Sequence, residues 1–339
     1  MGNKSLLQLL HFHNPWWSCA AVTWRAESGV FQAVVILNYA RFGYHCGNEI
    51  MFKVLILSLC AVLSTSVLAH EEKKEDKSFW WKQDWYDEGQ LRAVTNHKVK
   101  VSWTEYDRDD VTVPTMLARP DDNKKYPAVI FQHGRAGLSD LLKRQVKRIA
   151  ARGFVVMAPD IYAANFMGTH PYPHDYELEK DAAGVIDVLL ARKDISTKKA
   201  CIVSHTRGGY YSLKAAVTLK HQEKNLACYV SYYPHWQDPN APEPAQVYGF
   251  APEIEAFTLP SLIFIGEQEQ YQRRRVIETS IDILKKNNVE AHLIIYPGIG
   301  RGFDFRPSHV RTFADDLASK DAIQRLADFV SVHLKSHRK

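Results

Sequence analysis

Cysteine is scarce in this chain, with five in 339 residues, no Cys-x-x-Cys pair and no Cys/His cluster at zinc-binding spacing. That excludes a small disulfide-framed fold and a structural zinc module, and no metal is expected. No Gly-x-Gly-x-x-Gly run follows the first buried strand pattern, so a dinucleotide cofactor is not expected, nor any other. No apolar run reaches the roughly 18–20 residues that cross a bilayer as a helix, which excludes a multi-pass membrane protein. Charge of one sign is not in large excess: 43 Lys and Arg against 38 Asp and Glu leave +5. No basic stripe interleaved with aromatics appears, so nucleic acid is not an expected partner.

What is present is the composition of a folded globular protein, 46% apolar and 24% charged, in a chain long enough for one large α/β domain. A second start lies inside it. From Met51 the sequence runs MFKVLILSLCAVLSTSVLA and then HEEKKEDK. Lys53 makes a positive n-region, Val54 to Val67 an apolar h-region, and Val67 and Ala69 occupy the −3 and −1 positions of a cleavage site. This is the pattern of a secretory signal peptide. We therefore expect residues 1–50, which show no strand or helix period, to be upstream sequence translated in error. Residues 51–69 are expected to be a cleaved signal, 70–94 a charged and Trp-rich leader, and 95–339 a single domain. The expected setting is export, periplasmic or secreted, without stable membrane insertion after cleavage. Cys201 and Cys228 are expected to be buried free thiols, because neighbouring parallel strands rarely offer disulfide geometry.

From residue 95 onward the pattern alternates. Short apolar runs at 128–131, 154–158, 201–203, 228–230, 262–265 and 292–296 read as strands buried on both faces. Between them, Leu142, Val146, Ile149 and Ala150 share one helical face, with Gly153 as a stop. The sets Leu178 to Leu189, Ile277 to Leu284 and Ile323 to Leu334 repeat that spacing. Residues 98–106 and 111–117 alternate like an antiparallel edge pair. The order predicts a mostly parallel, doubly wound central sheet with helices on both faces, and functional residues at the carboxyl ends of its strands.

Four junctions follow those strands: Phe131-Gln132-His133-Gly134-Arg135, Ser204-His205-Thr206-Arg207-Gly208-Gly209, Gly266-Glu267-Gln268-Glu269, and Tyr296-Pro297-Gly298-Ile299-Gly300-Arg301-Gly302-Phe303. In this order they resemble the α/β-hydrolase superfamily and, within it, the dienelactone hydrolase family, over roughly residues 95–335. The resemblance implies the α/β-hydrolase fold and hydrolysis of ester or lactone bonds. It implies an oxyanion and ligand-binding loop at His133, Gly134 and Arg135 with Arg207, and a triad seated at Thr206, Glu269 and Arg301.

Each seat departs from the family's pattern. The elbow Gly-x-Ser-x-Gly, or Gly-x-Cys-x-Gly, reads Ser204, Thr206, Gly208 here. A β-branched residue tolerates the positive φ of an elbow poorly. Glu269 is a workable substitute for aspartate. Arg301 stands where a histidine is required, and a guanidinium that stays protonated cannot act as general base. His235, after Tyr232-Tyr233-Pro234, is an alternative base at the pocket rim. His205 should point away from the Thr206 hydroxyl, His133 should be structural, and His170 and His174 should lie at the surface. Arg135, Arg207 and Arg301, with Glu269 pairing Arg301, suggest a pocket for an anionic small molecule, since arginine forks bind carboxylates and phosphates at two points; the alternative is that Arg207 points into the fold and Arg135 into solvent, leaving an Arg301–Glu269 structural pair. The run Arg273-Arg274-Arg275 is expected to start a solvated helix face. Two functions compete: a hydrolase with a non-standard triad, and a catalytically silent protein, a pseudoenzyme, that binds an anionic ligand or a partner.

Overall fold

The computed structural model describes residues 7–14, 17–26, 29–33 and 96–339, and the chain divides into two units, Met1–Glu75 and Asp76–Lys339. In the first, β1 (Leu7–Asn14), β2 (Trp17–Ala26) and β3 (Gly29–Ala33) form an antiparallel meander. These strands form although the first fifty residues show no strict strand period, since Leu, Val, Thr, Phe and Trp give strand propensity without alternation. The expected signal at 51–69 and leader at 70–94 lie outside the described residues.

In the second unit an antiparallel pair comes first, β4 (Val99–Arg108) and β5 (Val111–Pro120). Then follow β6 (Tyr126–Gln132), α1 (Asp140–Ala151), β7 (Val155–Pro159), a short α2 (Ile161–Ala164) and α3 (Leu178–Leu190). The chain continues through β8 (Ile195–His205), α4 (Gly208–Leu213) with a π-helical turn at Lys214–Thr218, α5 (His221–Lys224) and β9 (Leu226–Tyr232). It ends with α6 (Glu243–Tyr248), α7 (Glu253–Ala256), β10 (Ser261–Gln268), α8 (Tyr271–Lys286), β11 (Ala291–Gly300) and α9 (Phe313–Lys335).

The sheet order is β11-β10-β9-β8-β6-β7-β5-β4, with β6 to β11 parallel and the β4–β5 pair antiparallel at one edge. Helices α1 and α9 pack on one face, and α3, α4 and α8 on the other. This is the α/β-hydrolase fold. The central strands are apolar on consecutive residues because both faces are covered: Val129, Ile130, Ile202, Val203, Ile263 and Phe264 are fully buried. Each contributes about 1.5–3 kcal/mol of burial. Helix α9 starts on a reciprocal cap, in which the Thr312 hydroxyl accepts from Asp315 N–H and the Asp315 carboxylate accepts from Thr312 N–H. The sheet reverses its winding between β6 and β8, and the loops after β6, β8, β9, β10 and β11 open at the same carboxyl edge.

One expectation fails in the core. Cys201 and Cys228 are direct partners across β8 and β9, and they form a disulfide with Cα atoms 4.7 Å apart. A register shift between Ala200 and Cys201 brings the two residues opposite each other, and their Cα separation lies within the range a bridge spans.

Candidate active site

Strand β8 ends at His205, and Thr206 turns the chain sharply with φ of 49° before α4 begins at Gly208. The turn is fixed by its backbone: Thr206 N–H donates to Tyr232 O at 3.2 Å, and His235 N–H donates to Thr206 O at 2.8 Å. Gly208 is required, because a Cβ there would stand 2.4 Å from Gln132 O. A Cβ on Gly134 would fall 1.8 Å from Thr206 Oγ1, so the threonine hydroxyl rests over the bare Cα of the loop after β6. Ser204, under the turn, is accommodated by a buried network in which its Oγ lies 2.8 Å from Ser231 Oγ and 3.0 Å from Tyr229 OH.

Glu269 and Arg301 meet as an ion pair, Arg301 Nη1 lying 3.0 Å from Glu269 Oε1 with the carboxylate side chain fully buried. Glu269 Oε1 also accepts from Gln270 N–H at 2.9 Å, and the Arg301 guanidinium lies over the Tyr233 ring, 5.0 Å from its centroid. The two positions that the resemblance assigns to the acid and the base are thus joined in one salt bridge.

A cavity of about 720 Å³ opens above the elbow. It is lined by Thr206, Arg135, Arg207, Arg301, His235 and Arg273, with Gln246, Gln270 and the Pro239–Glu243 loop at its far wall. Arg207 is buried, and among the described residues its side chain reaches a single acceptor, Pro171 O, at 3.4 Å. Arg135 donates to Pro171 O and His170 O at 3.1 and 3.0 Å. Arg273 corrects the expectation of a solvated helix face: the first turn of α8 aims it into the cavity, where it donates to Gln237 Oε1 at 2.5 Å and Gln246 Oε1 at 3.1 Å. Burial and the charges of Arg301 and Arg207 push its pKa down to about 10.

His235 is buried, and its Nε2 has no hydrogen-bond partner among the described residues. Burial, followed by the charges of Arg273, Arg301, Arg207 and His174, holds its imidazole well below the usual range, so the ring is neutral at pH 7. His133 sits behind the cavity wall. Its Nδ1–H donates to Gly134 O at 2.8 Å, its ring packs edge-on against Tyr162, and burial lowers its pKa. His205 turns away from the threonine hydroxyl. Its Nε2 lies 2.7 Å from Asp304 Oδ2, and its ring stacks on Tyr232. His170 is exposed at the cavity mouth. His174 is buried, against expectation, with Nε2 3.2 Å from Glu179 Oε1 and its ring against Tyr210 and Tyr211. Its backbone is tied to the loop after β9, His174 N–H donating to Asn240 Oδ1 at 2.7 Å and His174 O accepting from Asn240 Nδ2 at 2.8 Å, a contact distant in sequence that composition does not signal.

The model of the dienelactone hydrolase family matches residues 113–334. The chain belongs to the dienelactone hydrolase family. A Yersinia pestis protein provisionally named carboxymethylenebutenolidase is 23% identical over 258 residues, 72% of this chain and 92% of that protein. Among solved structures, a provisionally named dienelactone hydrolase of Klebsiella pneumoniae superposes with a TM-score of 0.55 at 18% identity, covering 69% of this chain and 99% of that one. A dienelactone hydrolase-like promiscuous phosphotriesterase from metagenomic libraries gives 0.55 at 15% identity, covering 68% and 98%. At such identities the structural likeness speaks for the fold.

The positive φ of Thr206, the close approach of Gly134 to its hydroxyl and the Glu269–Arg301 pair all lie at this carboxyl edge of the sheet. Three residues of the site were not singled out from sequence. Asp304 gathers His205 and the Tyr233 hydroxyl into a buried network, and its backbone carbonyl accepts from Gln145. Tyr233 carries Arg301, and Gln246 holds Arg273. The Gly302-Phe303-Asp304 run was visible, but nothing in it marks a carboxylate aimed under the elbow.

Proposed function

We propose that this family member hydrolyses an ester or lactone bond in an acyl compound that carries negative charge. The observation that carries the reading is the opening of Thr206, Arg135, Arg207, Arg301 and His235 into one cavity. In this reading the Thr206 hydroxyl attacks the carbonyl carbon and passes its proton to a neutral acceptor. His235 Nε2, unpartnered and uncharged, is the candidate for that role. The backbone N–H groups of Arg135 and Arg207 supply the oxyanion donors, as the corresponding positions do in this fold. The alkoxide of the C–O bond that breaks takes the proton, and water then releases Thr206 from the acyl-enzyme. Arg301, paired with Glu269, binds and orients charge and moves no proton.

A second reading is favoured by that same pair: a retired site that holds an anionic ligand without turnover. Loss of triad members lowers rates by about 10⁴–10⁶ in serine hydrolases, so the two readings differ by whether any acyl-enzyme forms. The test is turnover of activated aryl esters, with fluorophosphonate labelling, in the full chain beside Thr206→Ala and Thr206→Ser/Arg301→His. Turnover that disappears in Thr206→Ala supports the hydrolase. A silent wild type with gain in the double variant supports the retired site. Export remains part of the proposal, and the Cys201–Cys228 bridge supports it, because such bridges persist in oxidising compartments.

A further inference from the structure

The cavity holds more positive charge than its own carboxylates cancel. Four arginines line it against one carboxylate, Glu243, while Glu269 pairs with Arg301 from behind. Two guanidinium charges are left over. Among the described residues neither Arg207 nor Arg273 has an ion-pair partner. Arg207 meets a backbone carbonyl and Arg273 meets two amide oxygens, all neutral acceptors. Arg207 is only 4% exposed, its Nε has no partner, and His235 Nε2 beside it has none either at 7% exposure. Buried guanidinium without a counter-charge is strongly unfavourable in an isolated protein. It is tolerable where a ligand supplies the missing charge. The neutral amide oxygens of Gln237 and Gln246 hold the Arg273 fork in place and leave its charge for something else.

We propose that Arg207, Arg273 and Arg301, gathered around His235, form a receptor for a group bearing two negative charges, a phosphate monoester or a compact dicarboxylate, on the molecule this site takes. The inference rests on the anionic-substrate reading above and adds the charge. A single carboxylate would leave one guanidinium uncompensated in a buried wall, whereas a dianion neutralises both. It would also offer the acceptors that Arg207 Nε lacks. His235 is coupled to the same event. The groups that face it are Arg273 from α8, Arg301 from the loop after β11, Arg207 after β8, and His174 before α3. All of them set positive charge against a buried imidazole, and a bound dianion offsets that field.

The experiment is calorimetric titration of the full chain at pH 8, where inorganic phosphate and malonate are dianions and acetate is a monoanion, with each of the three in turn. Phosphate or malonate is expected to bind at least tenfold more tightly than acetate. The stronger of the two names the source of the dianion. Arg273→Gln should weaken the dianion at least tenfold and leave acetate unchanged. Arg273→Lys should recover part of the loss, since it restores charge without the fork. Acetate binding as tightly as both dianions would overturn the proposal. The selectivity arm uses unmodified protein and so does not depend on a variant folding. Thr206→Ala, silent in the ester assay, should keep full dianion affinity, so that failure of the hydrolase reading and failure of the dianion receptor are read separately.

Discussion

Breaking the Cys201–Cys228 bridge should lower stability by an amount that the chain itself defines. The two residues are 27 apart in sequence. Closing a loop of that length in the unfolded chain removes about 12 cal/mol/K, or about 3.6 kcal/mol at 25 °C. A domain of ordinary stability has about 5–15 kcal/mol in all, so the bridge carries a sizeable part of it. Both cysteines are fully buried between β8 and β9, so a reductant reaches them only on unfolding. The assay is urea unfolding followed by circular dichroism, with and without reductant, together with a non-reducing digest that looks for a peptide joining Cys201 to Cys228. Reduction should move the free energy of unfolding by about 3–4 kcal/mol. Curves that coincide within about 0.5 kcal/mol, with both thiols reactive in the unreduced denatured chain, would refute the bridge and with it one support for export.

Three further outcomes follow from packing and charge. Gly134→Ala should abolish any Thr206-dependent turnover and destabilise by about 1–3 kcal/mol, because the new methyl must displace the Thr206 hydroxyl; esterase rates and thermal melts check both. Asp304→Ala strips the buried His205 and the Tyr233 hydroxyl of their shared acceptor and should cost about 3 kcal/mol, read as a fall in Tm of several degrees, whereas an unchanged Tm would show the network to be dispensable. Asp316 is raised to about 6, chiefly by burial, against the lowering effect of Arg311 and Lys320. A carboxyl raised in the folded state contributes stability that is full below its unfolded pKa near 3.8 and is lost as pH rises through about 6. Asp316→Asn should therefore flatten the stability profile between those limits, and an unaltered slope in urea midpoints would contradict the assignment.

The architecture was legible because burial on both faces forces runs such as Val129–Phe131 and Ile263–Ile265 to be apolar at every position, which solvent-facing strands are not. The elbow was legible through the resemblance of Ser204 to Gly209 to the family's turn, and Thr206 has the positive φ that the resemblance implies. What escaped is what depends on register and direction. Nothing local says that Cys201 and Cys228 stand opposite each other across two parallel strands; only the pairing of β8 with β9 does. Three consecutive arginines begin α8, and successive helical residues are turned by about 100°. One of the three therefore faces inward while the other two differ: Arg274 pairs with Glu278, and Arg275 lies over Tyr248. Composition marks the triplet as polar without telling which member belongs to the site. Asp304 escaped for a related reason, since its partners His205 and Tyr233 come from two other strand ends.

Strain and charge at the elbow lead to one consequence when taken together. A threonine in the left-handed region, φ 49°, carries a penalty of about 1–2 kcal/mol that asparagine or glycine would largely avoid. The unpaired Arg207 and Arg273 add an electrostatic one. Neither arrangement strengthens the free protein, and both are concentrated on the same cavity, among residues drawn from five strand ends. A fold that merely lost its catalytic histidine would be free to relax both, by filling the wall with apolar side chains or by pairing each arginine. Instead the base seat holds Arg301, which pairs with a buried carboxylate, stacks on Tyr233 and faces the two unpaired arginines across the cavity. On the reading proposed above, a wall that gathers Arg301, Arg207 and Arg273 beside Thr206 calls for a substrate whose own negative charge completes it, and hydrolysis at Thr206 proceeds on such a substrate.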